Sequence, residues 1–183
     1  MMIRFGWFNL YFAAAVALAA GFGCQSPGQQ KEMGLLRVHL EVGREVDTNR
    51  CTVVQIPRTA PVELQIDRTA FLTEVDLKDV KVTEDPGGFS IWVQFNRKGS
   101  WLLEQYTSGN RGKHLAIYAQ FIKPGEQKHT AGRWLAAPRI NQRLADGILV
   151  FAPDATRDEA DELVLGLHNV IESVQKKSML PDS

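Results

Sequence analysis

The sequence GGFSIWVQFNRKGSWLLEQYTSGNRGKHLAIYAQF, residues 87–121, decides the fold. Apolar side chains occupy every second position from Phe89 to Phe95. The same alternation recurs from Leu115 to Phe121. Because successive side chains of a strand point to opposite faces, each run predicts a strand with one face on a core.

The segment between these two runs is predicted to be a helix. Leu102, Leu103 and Tyr106 recur at helical spacing after a polar break. We expect Gly109 or Asn110 to end the helix in a left-handed conformation, which is typical of these two residue types at helix ends. The order is therefore strand, helix, strand.

Further landmarks follow towards the C-terminus. The sequence WLAAPRI, residues 134–140, indicates a strand ended by Pro138, which has no N–H to donate, and residues 148–151 indicate another strand. Thr156 and Glu159 have the spacing of a capping box at a helix start. The apolar stripe of this helix is Ala160, Leu163, Val164, Leu167, Val170, Ile171 and Val174.

These landmarks, in this order, resemble the head subdomain of the first periplasmic domain of SecD and SecDF, the membrane subunits that assist protein export. Residues 110–117 match the family's N-x-G-K-x-L-A-I run, and residues 136–140 correspond to its S-A-P-x-I segment. The resemblance implies an α+β fold with a mixed or antiparallel sheet and two helices packed on one face, a ferredoxin-like α/β plait. It also implies a binding module of the cell envelope and supplies no catalytic activity.

Two departures from the family stand out. Residues 123–133 form a longer segment than the family's hairpin at this place, rich in Lys, Gly, Gln and His, and we predict a mobile loop there. Nothing after Gly34 is apolar for the ~20 residues that a membrane span requires, so we expect no proton-driven motor in this chain alone.

The N-terminus predicts export. Residues 5–23 contain no charge and precede Cys24 and a polar tract. This pattern resembles a bacterial lipoprotein signal, in which Cys24 is acylated and becomes the mature N-terminus. An uncleaved membrane anchor and a simple secreted form are the alternatives. We therefore expect a lipid-anchored protein on the periplasmic side of a bacterial envelope, at the outer or the inner membrane.

The sequence divides into five parts. They are a signal peptide at residues 1–23, a flexible tether at 24–34, N-terminal strands at 35–67, the head-like domain at 68–178 and a tail at 179–183. The N-terminal strands are expected either to add to the edge of the head's sheet or to form a small partner sheet.

Composition excludes several kinds of function. The chain has 21 basic and 21 acidic residues, so it lacks the positive field that attracts nucleic acid. Its four histidines lack the spacing of a zinc-binding helix motif. Cys51 lies in an apolar run and is expected to be a buried thiol. We predict no metal site, no cofactor and no enzymatic activity.

Side chains that point away from the helices are the candidate binding surface. Trp92 and Gln94 on one predicted strand, and Tyr118 on another, share this direction. Exposed aromatic rings on an open sheet favour contact with an apolar or extended peptide. The alternative is that the N-terminal strands cover this face and Trp92 is a core residue. Lys128 and His129, in the predicted loop, are further candidate contacts.

The sequence thus predicts a non-catalytic periplasmic binding module whose partner is a protein, either an exported polypeptide or an envelope component such as the translocase. The alternative is a structural or scaffolding envelope lipoprotein with no role in export, because one fold hosts many functions.

Overall fold

The computed structural model describes residues 33–43, 49–57, 61–122 and 130–179. The predictions for residues 1–32, including lipidation of Cys24, lie outside these ranges. The α-helices are α1 (Arg97–Gly109) and α2 (Arg157–Met179), and a short 3-10 helix spans Glu74–Asp76. The strands are β1 (Leu35–Leu40), β2 (Cys51–Ile56), β3 (Val62–Asp67), β4 (Leu72–Thr73), β5 (Leu77–Asp85), β6 (Gly88–Phe95), β7 (Leu115–Ile122), β8 (Thr130–Ala136) and β9 (Ile148–Phe151).

Every strand pair in the described ranges is antiparallel. A four-stranded sheet has the order β4-β1-β7-β8, a three-stranded sheet has the order β5-β6-β9, and β2 and β3 form a hairpin. The predicted α+β class with antiparallel pairing and two helices is confirmed. The strands are divided among three sheets.

The N-terminal strands are divided between two sheets: the β2–β3 hairpin forms the partner sheet that the sequence allowed, whereas β1 is an interior strand of the four-stranded sheet and not the expected edge strand. β1 lies inside the four-stranded sheet, paired with β7 from Leu35 opposite Gln120 to Leu40 opposite Leu115. The β2–β3 hairpin forms a sheet of its own. A bridge between Glu41 and β3 joins the end of β1 to the hairpin.

One large core joins both larger sheets to the two helices. The Thr156 capping box is confirmed, because the Glu159 N–H donates to Thr156 Oγ1 at 3.2 Å and the Thr156 N–H donates to Glu159 Oε2 at 2.9 Å. The helix that starts there buries its apolar stripe as far as Ile171, whereas Val174 is 38% exposed. Packing on the sheets therefore stabilises the first two thirds of α2.

The end of α1 differs from its prediction. Asn110 has φ −130°, and Gly109 is not among the residues with positive φ, so the predicted left-handed ending is wrong. The Asn110 side chain instead donates to the carbonyl oxygen of Tyr106 at 2.9 Å, which satisfies one of the free carbonyls of the last turn. Gly112, two residues later, supplies the left-handed turn with φ +86°.

The predicted loop at residues 123–133 is partly strand. Residues 130–133 belong to β8, and residues 123–129, including Lys128 and His129, lie outside the described ranges. Arg133 connects β8 to α2, donating to Glu159 Oε2 at 2.6 Å and to the Asp154 carbonyl at 3.0 Å. Burial raises the pKa of Glu159, but hydrogen bonds from Thr156 and Arg133 outweigh this effect, and the pKa lies below its usual value.

The β2–β3 hairpin covers the face of the four-stranded sheet that is opposite the helices. Its inward side chains form a second apolar cluster with Ala116 and Ala137, and Trp134 packs against this cluster. Cys51, at the start of β2, is 5% exposed, so the predicted buried thiol is confirmed. The hairpin side chains in this cluster are Val54, Ile56, Leu64 and Ile66.

His39 is a titratable group in the contact between the four-stranded sheet and the hairpin. It is 8% exposed, its Nδ1 lies 2.9 Å from the Asp67 carbonyl oxygen, and its ring meets that of Trp134 edge-on at 5.3 Å. Burial lowers the pKa of His39, and Arg37 lowers it further against the opposing effects of Asp67.

We expect the free energy of unfolding to decrease as the pH falls below about 6.5, the ordinary pKa of histidine, because the unfolded chain then binds a proton that buried His39 resists. His39→Gln should show a smaller decrease than the wild type in urea unfolding at pH 7.5 and 5.5. His168→Gln, at a half-buried position on α2, is the control and should keep the wild-type decrease. Equal decreases in all three proteins would contradict a buried, neutral His39.

Candidate functional site

The outward face of the three-stranded sheet carries the first two residues of the predicted binding surface. In β6 the side chains of Ile91, Val93 and Phe95 lie in the core. Because strand side chains alternate, Trp92 and Gln94 point the other way. We call this surface the Trp92 face. By register its members are Asp79, Lys81, Thr83, Trp92, Gln94, Ile148 and Val150, and Ser90 has the same direction but is buried.

The Trp92 face places an aromatic side chain between a cationic and an aliphatic one. Trp92 is half-buried and lies between Lys81 on β5 and Val150 on β9. The Lys81 ammonium nitrogen is 4.5 Å from the centre of the Trp92 ring, and Val150 is 48% exposed. An aromatic ring beside an aliphatic side chain, with a cation on one side, can receive an apolar side chain of a partner.

Tyr118 lies on a different sheet from Trp92. It belongs to β7, on the face covered by the hairpin, where its ring meets Trp134 edge-on at 5.3 Å. Its neighbour Ala116 on the same face is fully buried. The structure therefore divides the surface that the sequence predicted as one.

The alternative interpretation is that the N-terminal strands cover the aromatic face. It holds for the four-stranded sheet, where the hairpin covers Ala116, and not for Trp92. The hairpin cluster includes Ala116 and Trp134 but not Trp92. Trp92 therefore stays outside the apolar contacts of the hairpin. Trp101, on α1, is 59% exposed.

A groove beside β9 was not predicted from the sequence. It has a volume of about 530 Å³ and lies between Ile148, Leu149 and Val150 on one side and residues 138–146 on the other. The Asp146 carboxylate accepts a hydrogen bond from the Ile148 N–H at 3.1 Å at its rim. The absence of charge in the sequence of β9, ILVF, was the signal that could have drawn attention to this edge.

His114, like His39, has a structural partner. His114 Nδ1 lies 2.7 Å from Glu41 Oε2, and the same oxygen accepts the His114 N–H. This pair connects the residue after β1 to the residue before β7. Within the ranges that the structure describes, no three His, Cys, Asp or Glu side chains are close enough to hold a metal ion.

A helix that crosses a membrane must be about 20 residues long and mostly apolar. Over the described ranges, neither α1 nor α2 is both long enough and apolar enough to do so.

A model of a known protein family matches this chain. The family model described as SecDF, P1 head subdomain, matches residues 51–169, which is more than half of the chain. A comparison with curated proteins finds no match.

Several solved structures are similar to this chain. One, titled "Structure and function of a membrane component SecDF that enhances protein export", has a TM-score of 0.49 and 18% identity over 91% of this chain and 70% of that one. A crystal structure of SecDF in a super-membrane-facing form has a TM-score of 0.44 and 15% identity over 87% of this chain and 32% of that one. A crystal structure of SecDF from Thermus thermophilus, described as a translocon-associated membrane protein, has a TM-score of 0.39 and 17% identity over 89% of this chain and 34% of that one. This chain therefore spans about a third of the length of each of the last two proteins.

Proposed function

Because this chain belongs to the SecDF P1 head subdomain family, we propose that it is a non-catalytic module that binds polypeptide during protein export. Family membership implies a role related to protein export and a periplasmic, membrane-associated location. The finer proposal is that the partner is an exported chain in an extended, unfolded state. The translocase is the second protein partner that this role admits.

The Trp92 face is the observation that supports this proposal. It combines the half-buried Trp92 with the exposed Val150, while Lys81 and Gln94 provide polar groups beside them. Unfolded polypeptides present apolar side chains beside an unpaired backbone, so a partly apolar, open sheet face suits them. Tyr118 has no place in this surface because it lies on the other sheet. Contacts by Lys128 and His129 stay a prediction.

We further propose that Cys24 carries a lipid and that residues 24–34 tether the domain to the periplasmic side of a membrane. The support is the uncharged stretch followed by Cys24 and a polar tract in the sequence. A tether of this kind would keep the Trp92 face close to the membrane where exported chains emerge.

The direct test is binding of the full chain to a permanently unfolded polypeptide, for example fluorescently labelled, reduced and carboxymethylated α-lactalbumin. Fluorescence anisotropy should rise to saturation with this probe and should not change with the native, disulfide-bonded form of the same protein. If neither form binds, while a folded envelope protein or a second copy of the chain does, the scaffolding alternative is the better account.

A further inference from the structure

The sheet that carries the Trp92 face has a free edge at β9. Among the described residues the strand order is β5-β6-β9, which makes β9 an outer strand of this sheet. Within the ranges that the structure describes, no backbone group pairs with Ile148–Phe151 on its other side, although just beyond β9 the Asp154 N–H donates to the Leu135 carbonyl of β8 at 2.7 Å and so ends the free edge there. A free strand edge presents unpaired N–H and C=O groups in a fixed spacing.

The register shows which backbone groups face that edge. The Phe95 N–H donates to the Gly147 carbonyl at 2.9 Å, so this pair is hydrogen-bonded. Because hydrogen-bonded and non-bonded pairs alternate in an antiparallel ladder, Leu149 and Phe151 also bond to β6. The backbone groups of Ile148 and Val150 therefore point outward, and the bond from the Ile148 N–H to the Asp146 side chain agrees with this direction.

The two edges of this sheet are very different. β5, at the opposite edge, carries Lys78, Asp79, Lys81, Glu84 and Asp85 and has a register irregularity between Leu77 and Asp79. Charges and bulges of this kind protect an edge from pairing with another chain. β9 has the sequence ILVF and carries neither a charge nor a proline. The pairing-competent edge is therefore the one beside the groove.

The groove limits what can pair there. Its far wall is the segment 138–146, and Ile140 and Leu144 lie in it opposite β9. Neighbouring strands are about 4.8 Å apart, so a single extended segment can lie between β9 and this wall. A second folded sheet is wider than one strand and would collide with the wall. A second copy of the domain, pairing β9 to β9, is disfavoured for this reason.

We propose that the chain binds an extended polypeptide by strand addition to the free edge of β9, with the backbone of Val150 donating and accepting hydrogen bonds. Alternate side chains of the added strand then lie beside Val150 on the Trp92 face, with Trp92 one strand further on, and the others point into the core side of the groove. This inference rests on the proposed function, because it names how the same polypeptide partner is held. The partner is recognised chiefly by its backbone, so many sequences bind and proline-rich segments do not.

The test compares Val150→Pro with Val150→Ala in the full chain. Proline at position 150 removes the outward N–H but no hydrogen bond to β6, whereas alanine shortens the side chain and keeps the N–H. With the unfolded α-lactalbumin probe we expect Val150→Pro to bind at least about 10-fold more weakly than Val150→Ala. Circular dichroism and thermal unfolding check that both variants are folded.

The outcomes separate this inference from the proposed function. If the wild type does not bind the probe, the proposed function fails. If the wild type and both variants bind equally, the chain binds polypeptide but not by strand addition at β9. If light scattering shows a dimer that only Val150→Pro dissociates, the occupant of the edge is a second copy and the inference is overturned.

Amide hydrogen exchange by NMR tests the inference without a variant. Addition of the probe should slow exchange at the Val150 amide and leave Leu149, whose N–H already bonds to β6, unchanged. Unchanged exchange at Val150 in the presence of saturating probe would overturn strand addition even if Val150→Pro fails to fold.

Discussion

Replacing Gly166 by valine is expected to destabilise the domain by about 2–3 kcal/mol. Gly166 lies in the middle of α2, where the helix touches the residue before β1. A Cβ atom at Gly166 would be 2.7 Å from the Gly34 nitrogen and 2.9 Å from its Cα. The contact is reciprocal, because a Cβ at Gly34 would be 2.9 Å from the Leu167 nitrogen. These are backbone atoms, so no side-chain rotation can relieve the overlap.

The sign of the change in the free energy of unfolding shows whether steric overlap at position 166 or the helix propensity of the new residue dominates. Glycine is the poorer helix former by a few tenths of a kcal/mol, so propensity alone predicts a small gain from valine. Gly109→Val, at the end of α1, is the matched control, because nothing lies within 4 Å of a Cβ built there. Urea unfolding followed by tryptophan fluorescence measures both variants. A Gly166→Val protein as stable as the wild type would show that α2 and the start of β1 do not approach each other this closely.

Replacing Trp92 by alanine is expected to weaken binding of unfolded polypeptide by about 10- to 30-fold. Trp92 is the large aromatic side chain of the Trp92 face, and its truncation would also remove the ring that Lys81 approaches to 4.5 Å. The expected loss corresponds to about 1.4–2 kcal/mol of binding free energy, which is typical of a contact aromatic side chain approaching hot-spot strength. Because Trp92 is only half-buried, we expect a smaller effect on stability than on binding.

Trp101→Ala is the matched control for this prediction. Trp101 is 59% exposed on α1, away from the sheet face in question. Binding to the same unfolded probe, measured by anisotropy at equal fractions of folded protein, should be close to wild type in Trp101→Ala. Equal affinity in the wild type and in Trp92→Ala would remove Trp92 from the binding surface.

The local signals in the sequence predicted the elements well. Alternation from Phe89 to Phe95 became β6, and the capping box at Thr156 opens α2 with both of its hydrogen bonds formed. Such features depend on neighbours within a few residues, so a single sequence contains them. The direction of Trp92, away from the core, followed from the same alternation.

The division into sheets could not be read from the sequence. Nothing local shows that β1 pairs with β7 while β6 pairs with β9, because pairing depends on partners far apart in the chain. For this reason the sequence predicts Tyr118 beside Trp92, whereas in the structure Tyr118 lies on the face of the other sheet that the hairpin covers. The sequence does not predict the ending of α1 because an asparagine can end a helix either with a left-handed backbone or with a hydrogen bond from its side chain. In this protein the Asn110 side chain donates to the Tyr106 carbonyl.

The most direct test of the central claim, that the Trp92 face contacts exported polypeptide, is photocrosslinking in intact cells. A photoreactive amino acid is placed at position 92 of the full chain, and the control carries it at Lys176, which is exposed on α2. We predict that position 92, and not position 176, traps many different exported chains, together with translocase subunits. Capture of only one folded envelope protein, only copies of this chain, or the same proteins from both positions would contradict it.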